Sequence, residues 1–216
     1  MTKTTTAASG FSKKDFEVFH LPGLEERMSG IIEHIRPKFQ SIGEQLAAEI
    51  SPAVGNEMHL HIAKHARRTV NPPNDTWLAL CASKRGYKAH PHFQLGLFDD
   101  HLFIWLALIY EVPGKRNIAT AYLNELDDFI AQIPKQYVVS SDHMKKDAIS
   151  AAELGYEDWE KLLGRFRDVG KAELLIGQHL APDDPIVQDE QKLIEFAART
   201  YHQLMPLYKK ACLAYA

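Results

Sequence analysis

The chain has 216 residues, 45% hydrophobic and 25% charged, with a formal net charge of −3 at pH 7. This is the composition of an ordinary soluble globular protein of one domain, and the charge points to neither a general nucleic-acid binder nor a membrane-surface protein. The most apolar run, 102–110, is about half the length that a membrane-spanning helix needs, so no membrane segment is expected.

Residues 1–10 are rich in Thr and Ala and lack the apolar core and basic lead of a secretory signal. They read as a disordered leader to a single domain over 11–216 of a cytoplasmic protein. Cys81 and Cys212 lie in apolar-patterned segments with no Cys-x-x-Cys or Cys/His spacing, which suits reduced, buried thiols.

Ser12, followed by Asp15, predicts the start of a short helix carrying Phe16 and Phe19. After Pro22-Gly23, apolar residues from Leu24 through Ile31, Ile35, Phe39, Ile42 and Leu46 to Ile50 recur at three- and four-residue steps, one face of a long helix. Pro37 is expected to kink or split it, and 51–56, with Pro52 and Gly55, to end it.

From Met58 the period changes to two. Met58, Leu60 and Ile62 alternate with His59, His61 and Ala63, a strand with one apolar and one polar face. The prolines at 72 and 73 make 66–75 a loop. A second strand is predicted over 76–82, a basic loop with Gly86 over 83–89, and a third strand over 91–98. Asp99-Asp100 then turns the chain into a strand at 101–110. That last strand is apolar on both faces and is expected at the centre of the sheet.

A helix is predicted over 117–132 and a strand over 137–140. Ser150 and Glu153 have capping-box spacing ahead of a helix to about Phe166. A strand over 172–180 precedes Asp184-Pro185, the predicted start of a long C-terminal helix with Pro206 near its end. Consecutive strands with tight turns, flanked by helices, give an α+β fold with a mostly antiparallel sheet of about six strands. No glycine-rich phosphate loop, nucleophile elbow or catalytic-cysteine context is present.

Two constellations have chemical potential. Between Lys64 and His92 six basic side chains (Lys64, Arg67, Arg68, Lys84, Arg85, Lys88) stand against one acid, Asp75, although the whole chain is acidic. In a meander the two loops that carry them meet at adjacent strand ends, so Lys64, His65, Arg67, Arg68, Lys84, Arg85 and Lys88 are expected to form a binding site. Trp77, His92 and Gln94 lie nearby, and the expected ligand is a phosphorylated small molecule, nucleotide or nucleic acid. The plainer account is a pair of solvated loops, with Trp77 in the core. The second constellation is the His59/His61 and His90/His92 pairs, which strand geometry would place about 7 Å apart on one face. Those four imidazoles suggest, as an alternative, a metal-dependent hydrolase, although no carboxylate or cysteine completes the set. A sheet face that docks a protein partner without chemistry is the third reading.

The stretches 10–19 (GFSKKDFEVF), 21–28 (LPGLEERM), 63–77 (AKHARRTVNPPNDTW) and 86–94 (GYKAHPHFQ) resemble the YktB-like family of uncharacterised bacterial proteins. The resemblance covers nearly the whole chain from Gly10. It implies an α+β domain of this length, comparable in topology to the antiparallel catalytic domain of biotin ligases and class II aminoacyl-tRNA synthetases. It brings no activity, cofactor or catalytic residue.

Overall fold

The computed structural model of the chain describes residues 9–215. The leader expected over 1–10 therefore lies outside the described residues except for Ser9 and Gly10. Gly10 is already packed: its carbonyl accepts from Lys38 Nζ at 3.1 Å, and Phe11 N donates to Val187 O at 2.7 Å.

Helix α1 spans Lys13–Glu17. The amide and hydroxyl of Ser12 both donate to Asp15 Oδ2, at 2.7 and 2.9 Å, and Lys38 Nζ reaches the same oxygen at 2.7 Å. The cap of α1 is thus tied to the long helical segment that follows. That segment has three parts: α2 at Leu24–Gly30, a π-helical turn at Ile31–Ile35, and α3 at Arg36–Val54. Pro37, in the first turn of α3, has no N–H to give to the preceding turn, and the wider turn absorbs the fault. Pro52 does not stop the helix. The stop is Gly55, which takes a left-handed φ of 83° and donates its N–H to Ser51 O at 2.9 Å.

The sheet has seven strands: β1 His59–Ile62, β2 Thr76–Cys81, β3 His92–Leu97, β4 Leu102–Leu108, β5 Val138–Ser140, β6 Ile149–Ser150 and β7 Leu174–Leu180. Their order is β1-β2-β3-β4-β7-β5-β6, with every pairing antiparallel. The expected count was short by the two-residue β6. Strand β4 is fully buried and lies fourth of the seven, as its unbroken apolar sequence requires. Strand β1 is an edge strand and is half-buried along its whole length, so its alternation is blurred.

Three helical expectations change in detail. The helix expected over 117–132 is two, α4 at Lys115–Leu123 and α5 at Leu126–Ala131. Ser150 Oγ accepts from Ala152 N and opens only a 3-10 turn at Ala151–Glu153. Helix α6, at Tyr156–Asp168, starts later, where Asp158 accepts from Gly155 N at 3.1 Å. Asp184 caps a separate short helix, α7 at Pro185–Gln188, and α8 then runs from Glu190 through Pro206 to Tyr215.

Helices α3 and α8 cover one face of the sheet. Phe93 lies between the rings of Tyr201 and Tyr208, at 4.6 and 4.8 Å, and Tyr201 Oη donates to Gln94 O at 2.9 Å. At β1 the Leu60 side chain fills the notch left by Gly43, where a Cβ would stand 2.4 Å from it. No helix among the described residues is long and apolar enough to cross a membrane.

Candidate functional site

The opposite face of the sheet is where the polar groups gather. Register aligns Trp77, Gly96 and Phe103 in one row, Ala79, Gln94 and Trp105 in a second, and pairs His92 with Ala107 and Cys81 with His59. Strand alternation places these on the face away from Phe93 and Leu95. Gly96 is required there: a Cβ would meet Phe103 Cζ at 2.3 Å and Trp77 Cβ at 2.7 Å. Loops close this face, each contributing one ring. His65 from 63–75 lies 5.7 Å from Trp77, Tyr87 from 82–91 lies 4.9 Å from His92, and His143 from 141–148 lies 5.8 Å from Trp77.

Beneath those loops is a buried hydrogen-bond network. Because a carbonyl can only accept, His92 Nδ1 donates to His90 O at 2.8 Å, which leaves Nε2 to accept from Gln94 Nε2 at 2.9 Å. Burial brings the His92 pKa down to about 3, so the ring is neutral. Trp77 Nε1 donates to Tyr87 Oη at 3.0 Å, and burial pushes the Tyr87 phenol up to about 12. Glu173 is buried and accepts from His143 N at 2.7 Å, His143 Nδ1 at 2.8 Å and Tyr110 N at 3.3 Å. Burial opposes charge on His143, but the Glu173 carboxylate outweighs it and raises the imidazole above its ordinary value.

Asp75 is the unusual member. It is 1% exposed, and neither carboxylate oxygen has a hydrogen-bond partner among the described residues. Burial raises its pKa to about 6, against the pull of His143 and Arg68. Two residues before Trp77, it shares that face by strand period.

The basic rim lies beside this network. An open cleft of about 800 Å³ is lined by β1 and the loop after β2, and includes His61, Lys64, Arg85, Tyr87, Lys88 and His90. No Asp or Glu lines it. His61 Nε2 contacts Ser83 O at 2.9 Å and fastens the loop to β1. Lys88 also pairs with Glu111 at 3.5 Å, whereas Lys64 and Arg85 form no ion pair among the described residues.

The ten expected binding residues therefore divide. Lys64, Arg85 and Lys88 meet in the cleft. Trp77, His92 and Gln94 belong to the buried network, and half-buried His65, at a left-handed φ of 52°, contacts Thr76 Oγ1 at 3.2 Å. Arg68 braces its own loop by donating to Asn71 O and Pro72 O at 3.4 and 3.3 Å. Arg67 and Lys84 are exposed and do not line the cleft.

The four imidazoles considered for metal share no centre. Both nitrogens of His92 are engaged, His90 lies in a turn before β3, His61 is bonded to Ser83, and His59 stands 3.8 Å from Glu57. Among the described residues the one group of three possible ligands within 4.8 Å is Asp142, His143 and Glu173. There His143 Nδ1 already bonds the Glu173 carboxylate at 2.8 Å, a contact that a metal would have to displace. Asp75 carried a legible signal, as the lone acid in a basic stretch in phase with Trp77. His143 and Glu173, thirty positions apart, carried none.

Residues 11–208 match a domain of unknown function, DUF1054. The chain is similar to UPF0637 protein OB1420 of Oceanobacillus iheyensis, 57% identical over 94% of this chain and 97% of the relative. It is also similar to UPF0637 protein ABC2405 of Shouchella clausii, 55% identical over 95% and 96%, and to UPF0637 protein lwe1043 of Listeria welshimeri, 48% identical over 94% and 97%.

Proposed function

We propose that this chain, which belongs to the DUF1054 family, binds a small phosphorylated ligand in the cleft between β1 and the 82–91 loop. The observation that carries this reading is the charge of the lining: Lys64, Arg85 and Lys88 face a cleft with no carboxylate in its wall, in a protein of net charge −3. Lys64 and Arg85, which have no ion pair among the described residues, together with Lys88, whose partner Glu111 lies outside the cleft wall, raise the local potential and favour an anion there. Arg85 offers the fork of donors that fits two phosphate oxygens, and Gly86 lets the backbone come close. The concave shape and the confinement of the charge favour a small molecule over a polyanion that needs an extended basic track.

The test is the double substitution Lys64→Glu and Arg85→Glu. Both side chains are exposed, so the fold is preserved. Charge-assisted hydrogen bonds contribute about 1.5–3 kcal/mol each, so affinity for pyrophosphate should fall at least about tenfold. Salt-sensitive retention on phosphocellulose should be lost with it. Unchanged retention and unchanged pyrophosphate affinity remove the reading.

A further inference from the structure

The basic cleft adjoins a second cavity that is less basic and mostly apolar. This one is about 390 Å³ and lies between the C-terminal part of α8, the end of α3 and the ends of β2 and β3, with Val54, Pro91, Cys212 and Leu213 in its wall. Ser83 and His90 line both spaces. His90, which borders both, stands 5.4 Å from Tyr215 of the second cavity in an edge-on contact. Cys81 and Cys212 are both free, and burial pushes both thiols up, so they present uncharged, polarisable surface. Leu213, beside them, is 80% exposed, the most exposed large apolar side chain among the described residues. A mostly apolar cavity of this size with a few polar groups at one end is the usual form of a small-molecule site.

We propose that the ligand is a soluble amphiphile: a phosphate monoester whose head occupies the basic cleft and whose linear apolar tail passes Ser83 and His90 into the 390 Å³ cavity, with Leu213 against it. This rests on the reading of the cleft as an anion site and adds the ligand's second half. At about 30 Å³ per methylene, close to the room a water takes in the liquid, the cavity has space for roughly ten. Neither space accounts for the other alone. The basic cleft gathers the cations a phosphate head requires, whereas the cavity's one lysine, Lys209, is exposed on α8.

The experiment is calorimetric titration of the whole chain with pyrophosphate and with butyl, hexyl and octyl phosphate, all below micelle-forming concentrations. Burial of each methylene should tighten binding about threefold to fourfold, so octyl phosphate should bind at least tenfold tighter than butyl phosphate. Leu213→Glu, a change at a largely exposed side chain, should remove most of that chain-length gain and leave pyrophosphate binding unchanged. Lys64→Glu with Arg85→Glu should weaken all four ligands. Affinity independent of chain length overturns the tail site while the anion site stands. Failure of both pyrophosphate and the alkyl phosphates overturns the anion site and the tail site together. Equal binding of neutral octyl glucoside overturns the joint site. Cosedimentation with phosphatidic-acid vesicles in the absence of binding to octyl phosphate overturns the soluble ligand in favour of a lipid headgroup.

Discussion

The indole N–H of Trp77 donates to the hydroxyl of Tyr87 at 3.0 Å. This bond joins the first residues of β2 to the loop that follows the strand, and so ties the buried network to the wall of the basic cleft. Tyr87 belongs to both: its ring packs on His92 and it also lines the cleft.

Tyr87→Phe keeps the ring and removes the acceptor. Trp77 is then left with a buried N–H that has no partner, at a cost of about 1–3 kcal/mol. In a chain of this size that lowers the melting temperature by roughly 2–10 °C. Calorimetry checks it, and a melting temperature within a degree of the native chain's would show that the bond contributes nothing.

Asp75 predicts a pH dependence. Its carboxyl is raised from 3.8 to about 6 in the folded chain, so the folded state holds the proton more tightly than the unfolded state. Stability from this group is therefore full below pH 3.8 and declines as pH rises to about 6, by on the order of 3 kcal/mol. Asp75→Asn cannot ionise. It should be more stable than the native chain at pH 8 and should lose that advantage at pH 4. Parallel urea titrations at the two pH values measure it, and the same difference at both would rule out a buried, unpaired carboxylate.

Glu173 and His143 give the matching cation. His143 is raised above its ordinary value by the Glu173 carboxylate despite burial. A raised histidine contributes stability that is full below pH 6.5 and is lost as pH rises through the folded value. Glu173→Gln should move the His143 titration to lower pH, as read from its imidazole proton resonances. It should also destabilise the chain by about 3 kcal/mol at pH 6, because breaking a buried pair leaves one charge alone. The loss should shrink as pH is raised. An unmoved His143 titration would separate the two residues.

The elements that were legible in advance carried a local reason. The centre of the sheet could be placed from Leu102–Leu108 because a strand apolar on both faces must be covered on both. The turn at Asp99-Asp100 and the helix cap at Asp184 follow from residue chemistry within a few positions, although the helix that Asp184 opens is the short α7 and not the C-terminal α8. The misjudged boundaries were the helix over 117–132, which is two, and the helix start at Ser150, which opens only a 3-10 turn. Pro52 and Pro206 are helix breakers by type, yet both sit inside helices, because α3 and α8 are held by packing on the sheet. The two-residue β6 has too short a pattern to detect.

The basic stretch of 64–92 shows the same division. Composition was enough to mark it, since six cations against one acid is a property of the string. Which cations act together was a matter of distance across the fold. Lys64 and Arg85 meet because His61 fastens the second loop to β1, while Arg68 is spent on its own loop and Arg67 and Lys84 do not line the cleft. His143 and Glu173 reach the network from beyond β4, brought there when β7 pairs with β4 and the 141–148 loop folds over Trp77. Periodicity and residue type act over a few positions and write themselves into the chain. Convergence of distant loops depends on strand order and closure, which arise only when the whole sheet forms.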